Sequence, residues 1–353
     1  MKLISKEHNQ KTDNKSNLDL LAHGGDHGKY VYFIGIGGAG MSAIAKILIN
    51  EGYIVSGSDM ESSPVTYELG ELGVRINTKQ DGECLDPDTN LVITSAAINE
   101  NNPDLRKARS LGLKVVKYSE FLGVLMRTKY GIAISGTHGK TTTTAMISTI
   151  LQKTGHEPTF VIGGNVSGIG GNSRLGRGSH FVAEACEFDR TFLNLTPQIG
   201  VITNIEEDHL DYYKDLDGIT EAFAEFVSLI PKDGLLVVNN DDINTRKVIK
   251  GAKCKVESYS IVMASDFIDK ITTGSKIDIE THSDELSIAN ELYERANAES
   301  GAKWLAIVTN SDKDLNHFSV FKKGEYYGDF CLKTPGLHNV SNALAAISVC
   351  NHI

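Results

Sequence analysis

Apolar residues along this chain come in short blocks separated by stretches of helical periodicity. Residues 31–34 (VYFI) form an apolar run suited to a buried strand. Met41, Ile44, Ala45 and Leu48 then repeat at helical spacing, with Gly52 just past the expected helix end. Residues 54–56 predict the next strand, and Ser63 followed by Pro64 predicts a helix start, with serine as the N-cap and proline at the first position. Further strands are expected at 91–95 (LVITS) and 113–118 (LKVVKY), and 118–130 should hold a short helix and the passage into a second unit. That unit repeats the logic: a strand at 132–134, a helix over 141–153 closed by Gly155, strands at 181–185 and 200–204, an amphipathic helix over 219–229 and a strand at 235–240. Between 251 and 334 the pattern blurs into short strands, a charged helix near 284–298 and a strand near 304–308, before 336–349 reads as helix again. Strands alternating with helices predict parallel sheets of Rossmann type. The expected organisation is α/β: a Rossmann-like domain over 29–130 and a second α/β domain over 131–353.

Residues 1–28 are polar and patternless, and they read as a disordered tail. His23, Asp26 and His27 lie there without a flanking strand or helix to hold them as metal ligands. The 353 residues are 41% hydrophobic and 23% charged, enough apolar material for a sizeable core. The net charge of −10 argues against a general binder of nucleic acid or anionic membrane, so a phosphate ligand must be held by local geometry. Five scattered cysteines without CxxC spacing read as reduced thiols rather than a disulfide scaffold or zinc site. No apolar run reaches the roughly 18 residues of a membrane span, and no signal-peptide stretch is present. A soluble, cytoplasmic protein is expected.

Two glycine-rich turns carry the chemistry. Gly35-Ile36-Gly37-Gly38-Ala39-Gly40 fits G-x-G-x-x-G between a strand and a helix, where glycines let the backbone approach a pyrophosphate and the helix start offers N–H groups. Asp59, at the end of the second strand, is placed to accept bonds from ribose hydroxyls. Alone this pattern suits NAD, but it specifies only some nucleotide diphosphate, and a turn kept for packing is the plain alternative. Gly136-Thr137-His138-Gly139-Lys140-Thr141-Thr142 joins a strand to a helix and contains G-x-x-G-K-T, with Ile134 where the longer P-loop pattern has its first glycine. Backbone N–H groups there can cradle phosphates, Lys140 can reach the β and γ phosphates, and Thr141 can ligate Mg²⁺.

Further Mg²⁺ ligands are expected at the carboxyl ends of neighbouring strands. Glu184 interrupts an apolar run, where a carboxylate is costly unless paired or metal-bound, so it reads as a metal ligand or a buried ion-pair partner. His209 reads as a metal ligand or as a capping or core histidine. Glu187, Asp189, Glu206, Glu207 and Asp208 read as solvated or structural. Two phosphate-cradling loops, each opening its own α/β unit, imply ATP consumed against a substrate that itself carries a nucleotide diphosphate. Lys140 and Mg²⁺ would neutralise charge on the transferred phosphoryl group.

These stretches resemble the Mur ligase family: FIGIGGAGMSAIA, VSGSD, ITSAAI, SGTHGKTTTT, GGN followed by SRLGRG, VAEACEFDR, TNIEEDHLDYY and TPGLHNVSNALAAI. They cover the chain from about Tyr30 to its end, apart from about 275–312. The resemblance is greatest to the branch that joins L-alanine to UDP-N-acetylmuramate. It implies that the first domain binds the UDP part of that substrate through Gly35, Gly37, Gly38, Ala39, Gly40, Met41, Ser42, Asp59 and Ser95. It implies ATP at Gly136–Thr142, one Mg²⁺ at Thr141 and Glu184 and a second at His209, with His138 beside the reacting carboxylate. His338, Asn339 and Asn342 match the adenine-side motif, although by themselves they read as an ordinary helix start. The lactyl carboxylate would be phosphorylated to an acyl phosphate and attacked by the amine of L-alanine. No protein partner is implied.

Three departures stand out. Cys186 replaces an aspartate common among relatives, no lysine lies between Asp215 and Pro231 to be carbamylated, and the chain stops at Ile353, where the family's third domain begins. The expectation is therefore a chain without the alanine site, binding UDP-N-acetylmuramate and ATP but not completing turnover alone. The alternatives are a ligase joining a preformed peptide to the same sugar nucleotide and an NAD-binding oxidoreductase or sensor.

Overall fold

The structure, a computed structural model, describes residues 29–266, 293, 294, 297, 300–311 and 315–353. The tail with His23, Asp26 and His27, most of the 275–312 segment and most of the charged helix at 284–298 lie outside the described residues. The chain forms two compact units, one within Met1–Lys129 together with Asn172–Leu175, the other Tyr130–Gly171 with Gly176–Ile353.

The first unit runs β1 (Tyr30–Ile34), α1 (Ala39–Asn50), β2 (Ile54–Ser58), α2 (Pro64–Glu71), β3 (Arg75–Asn77), β4 (Leu91–Thr94), α3 (Pro103–Ser110), β5 (Val115–Lys117) and α4 (Tyr118–Arg127). Its five strands take the order β3-β2-β1-β4-β5 with every pairing parallel. The order reverses between β1 and β4, so the glycine turn after β1 opens at the position where such sheets hold ligands. Ser63 caps α2 in a reciprocal capping box with Thr66. The buried Asp104 carboxylate, at the start of α3, accepts from Tyr32 Oη (3.1 Å), Ser58 Oγ (2.5 Å) and the Gly82 N–H (2.7 Å). Three donors offset the cost of burying that charge. β3 and α3 go unforeseen in the sequence because RIN is too short and PDLRKARS too polar to show an apolar face.

From Tyr130 onward the chain runs β6 (Tyr130–Ser135), α5 (Lys140–Lys153), β7 (Thr159–Val166), β8 (Gly171–Arg174, all but its first residue assigned to the first unit), β9 (His180–Glu184), β10 (Ile199–Ile202), α6 (Leu210–Tyr213), α7 (Leu216–Ser228), β11 (Leu235–Asn239), α8 (Ile243–Val248), β12 (Lys255–Met263), β13 (Trp304–Ser311), β14 (Asn316–Lys322), β15 (Glu325–Leu332) and α9 (Leu337–His352). Within the second unit the strands take the order β15-β14-β13-β12-β11-β10-β6-β9-β7. Pairings from β13 through to β7 are parallel, as expected of alternating strands and helices. The β13-β14-β15 edge, in the stretch where the sequence pattern blurs, makes the sheet mixed, because both of its pairings are antiparallel. β14 and β15 are joined by only Lys323 and Gly324, both with positive φ (51° and 89°), and a two-residue turn permits only an antiparallel return. The core gathers Ile132, Ile134, Val182, Val201 and Val237 from central strands with Ile147 of α5 and Val340, Leu344 and Val349 of α9. No helix among the described residues is long and apolar enough to cross a membrane. The five cysteines are free thiols.

Candidate active site

β6 delivers a buried run into a loop that only glycine can begin. Gly136 has φ +135°, and a Cβ there would lie 2.0 Å from Thr203 Oγ1. The loop is strapped to the end of β10. Thr203 Oγ1 donates to Ser135 O (3.2 Å) and His138 O (2.5 Å), the Thr137 N–H to Asn204 O (3.0 Å), the His138 N–H to Asn204 Oδ1 (2.8 Å), and the Glu206 N–H to Thr137 Oγ1 (2.9 Å). Gly139, with φ +84°, opens α5 with no side-chain cap, so the helix start presents backbone donors and a partial positive charge. A Cβ on Gly139 would lie 2.4 Å from Asn342 Oδ1, so α9 meets the loop at that point. Asn339 Nδ2, on the same helix end, donates to Pro335 O (2.6 Å) and lies 3.1 Å from His338 Nε2.

Lys140 folds back over this loop. Its Nζ donates to Gly136 O, to Thr137 O (3.1 Å) and to both oxygens of Glu187 (3.0 Å each). Thr141 follows it on α5, and its hydroxyl is hydrogen-bonded to the Glu184 carboxylate, which also accepts from the Gly163 N–H (2.6 Å). Burial pushes the Glu184 carboxyl above its ordinary value, resisted by those two bonds and by the nearby Lys140 charge. A hydroxyl and a desolvated carboxylate, both oxygen donors, suit a hard divalent cation such as Mg²⁺.

His209 stands apart from that pair. It caps α6 with a left-handed backbone (φ 52°), its ring lies 4.8 Å from that of Phe188, and its Nε2 is 3.7 Å from Asp208 Oδ2. Ligand atoms of Glu187, Asp208 and His209 all lie within 4.8 Å of one another. Glu187 and Asp208 therefore join the candidate site, although the sequence reading set them aside. Glu187 is buried, not solvated, and the available signal was a second glutamate three residues after the one that ends β9. The His138 ring is largely exposed, with Nε2 3.8 Å from Glu206 Oε2.

In the first unit, Gly35 turns with φ +83°, and its N–H and that of Ile36 both donate to Ser58 O. The Gly37 N–H donates to Asp59 Oδ2 (2.8 Å), and a Cβ on Gly37 would lie 2.9 Å from that oxygen. Asp59 thus holds the turn itself, and its other oxygen accepts from the Glu61 N–H (3.1 Å). Ser95 follows β4 and lies against Gly35, whose added Cβ would lie 3.2 Å from the serine Cβ. Gly38 meets only ordinary contacts, whereas a Cβ on Gly40 would lie 2.5 Å from the Tyr118 ring. Met41 and Ser42 are buried, and Ser42 Oγ donates back to Ala39 O (3.0 Å), so neither side chain is presented to solvent. A cavity of about 250 Å³ opens at the carboxyl ends of β4 and β5, lined by Ser95, Ile98, Arg109, Lys117 and Glu120 among others.

Residues 134–350 match the Mur ligase middle domain, and residues 30–130 match the catalytic domain of the Mur ligase family. The UDP-N-acetylmuramate–L-alanine ligase of Caldanaerobacter subterraneus subsp. tengcongensis is 38% identical over 322 residues, which is 91% of this chain and 62% of that protein. The enzyme of the same name from Acetivibrio thermocellus is 39% identical over 324 residues, 91% of this chain and 61% of that protein. Among solved structures, UDP-N-acetylmuramate-alanine ligase from Thermotoga maritima aligns with a TM-score of 0.72 at 27% identity, covering 92% of this chain and 65% of that one. The UDP-N-acetylmuramate:L-alanyl-gamma-D-glutamyl-meso-diaminopimelate ligase from Neisseria meningitides aligns with a TM-score of 0.74 at 25% identity, covering 92% and 94%. The chain thus spans about 62% of the length of the first of these curated relatives.

Proposed function

This chain belongs to the Mur ligase family, and from that premise we propose that it serves the ATP-dependent joining of L-alanine to the lactyl carboxylate of UDP-N-acetylmuramate, in cytoplasmic peptidoglycan precursor synthesis. The observation that carries the reading is Lys140, held at the mouth of a glycine loop with Thr141 beside a desolvated Glu184. That is a phosphate-and-cation arrangement, distinct from the turn at Gly35–Gly40 that would grip the uridine diphosphate.

In the proposed reaction, loop N–H groups and Lys140 orient the ATP phosphates while a lactyl carboxylate oxygen attacks the γ-phosphorus and ADP departs. The alanine amine then attacks the carbonyl carbon of the acyl phosphate, loses a proton and expels phosphate. Thr141, Glu184 and His209 would hold Mg²⁺, which supplies charge neutralisation on the phosphoryl oxygens. His138 is exposed beside the loop and would face the reacting carboxylate, and His338, Asn339 and Asn342 would border the adenine.

Calorimetric titration tests this with the chain as it stands. UDP-N-acetylmuramate and ATP should each bind, with Lys140→Met weakening ATP alone and Gly37→Val weakening the sugar nucleotide alone. Tight NADH binding with indifference to UDP-N-acetylmuramate would overturn the reading. The likeness to the Neisseria enzyme favours a second reading, in which the acceptor is a preformed peptide. Competition between L-alanine and L-alanyl-γ-D-glutamyl-meso-diaminopimelate in a full-length relative separates the two.

A further inference from the structure

Glu187 has no part in the reaction just described, yet it is 2% exposed and both of its carboxylate oxygens lie 3.0 Å from Lys140 Nζ. With Gly136 O and Thr137 O also accepting, four oxygens share the three protons of the ammonium. None is left for an incoming phosphate, so the lysine must break these bonds before it can serve one.

The two ends of the pair differ in freedom. The Glu187 carbonyl accepts from Tyr213 Oη and from the Arg190 N–H (2.9 Å), and the next turn is fixed by Asp189 and Arg190 at φ 52° and 53°. Lys140 is a flexible four-carbon stem at the start of α5. The lysine is the partner that moves and the glutamate the one that stays.

We propose that Glu187 is a positioning residue that stands in for phosphate, holding Lys140 over the empty loop and yielding it when a nucleoside triphosphate enters. The inference rests on the reading that Gly136–Thr142 binds ATP. Entry then separates a largely buried ion pair and leaves a desolvated carboxylate near the triphosphate, and both effects oppose binding. Glu187→Gln keeps the shape and removes both.

The test is calorimetric titration with ATP in the absence of divalent ions, for the wild type, Glu187→Gln, Lys140→Met and the double variant. Glu187→Gln should tighten ATP about tenfold or more, within the range of charge-assisted hydrogen bonds. The gain should shrink in the Lys140→Met background, where there is no pair to separate. A carboxylate kept only for stability would give no change or weaker binding, and either result overturns the inference. If Lys140→Met weakens ATP while Glu187→Gln does not tighten it, this inference alone falls. If Lys140→Met leaves ATP affinity unchanged, the loop assignment falls and takes the inference with it. In the wild type, ATP should also move the Lys140 ε-methylene NMR signal, assigned by its loss in Lys140→Met. A signal that stays in place while ATP binds would equally refute the exchange.

Discussion

Replacing Gly136 with alanine tests whether the phosphate loop is built as described. Two penalties fall on that methyl group. The backbone stands at φ +135°, a conformation left almost wholly to glycine, and an L residue held there costs about 1–3 kcal/mol. The new Cβ would also lie 2.0 Å from Thr203 Oγ1 and 3.1 Å from Asn204 N. Thr203 is anchored to Ser135 O and His138 O, so the loop rather than the hydroxyl must shift, at an overpacking cost of about 1–3 kcal/mol. The total of about 2–6 kcal/mol should lower the melting temperature of the second unit by roughly 4–24 °C, given about 2–4 °C per kcal/mol for a unit of this size. Calorimetry on Gly136→Ala, Thr203→Ala and the double variant separates the two terms. The double variant should recover the steric share, a coupling of about 1–3 kcal/mol, and keep the backbone share. A Gly136→Ala protein within 0.5 kcal/mol of the wild type would refute the reasoning, as would strict additivity with Thr203→Ala.

Other outcomes follow from the same geometry. Lys140→Met should weaken ATP about 10- to 150-fold, the worth of one to two decades for hydrogen bonds to a charged group, while leaving UDP-N-acetylmuramate affinity unchanged in the same titration. Asp59→Ala frees the Gly37 N–H and should weaken the sugar nucleotide about tenfold without altering ATP binding, read by the same method. Glu257 lies buried beneath Trp304, and although burial works against its charge, bonds from Lys255 and from Trp304 Nε1 (2.8 Å) carry its carboxyl below 4.5. A depressed carboxyl stabilises the fold above its unfolded pKa and loses that contribution as pH falls through the folded value. Glu257→Gln should therefore cost about 1.5–3 kcal/mol at neutral pH, and denaturant melts should show that cost shrinking below pH 4.5. A cost independent of pH would contradict the assignment.

What the sequence made legible was local. Strands such as 31–34 and 132–134 are apolar over every residue, and Gly35, Gly136 and Gly139 mark turns whose φ excludes other residues, so both carry their own signature. The capping serine at 63 is legible for the same reason. Glu187 was not legible, because its burial depends on Tyr213, which arrives from α6, and its partner lies on α5. The grouping of His209 with Asp208 and Glu187 likewise depends on where the chain turns after β9 and β10. The edge hairpin was lost among short alternating runs, where FSVF and FCLK give no hint of strand direction and only Lys323-Gly324 does. Asp104 reads in sequence as an ordinary acidic residue at a helix start, and its role as the tie between two strands and a loop appears only when Tyr32, Ser58 and Gly82 are brought to it.

The packing of α9 against α5 has a consequence for how the protein is made. α5 emerges early from the ribosome and α9 almost 200 residues later, yet Val340, Leu344 and Val349 fill the space beside Ile147. A nascent chain that has delivered every strand of the large sheet still exposes an unfilled apolar face. Contacts so distant along the chain form slowly and leave intermediates sticky, so the growing polypeptide should lean on chaperones until α9 docks. The turn at Gly139 likewise gains its neighbour Asn342 only once α9 has been made.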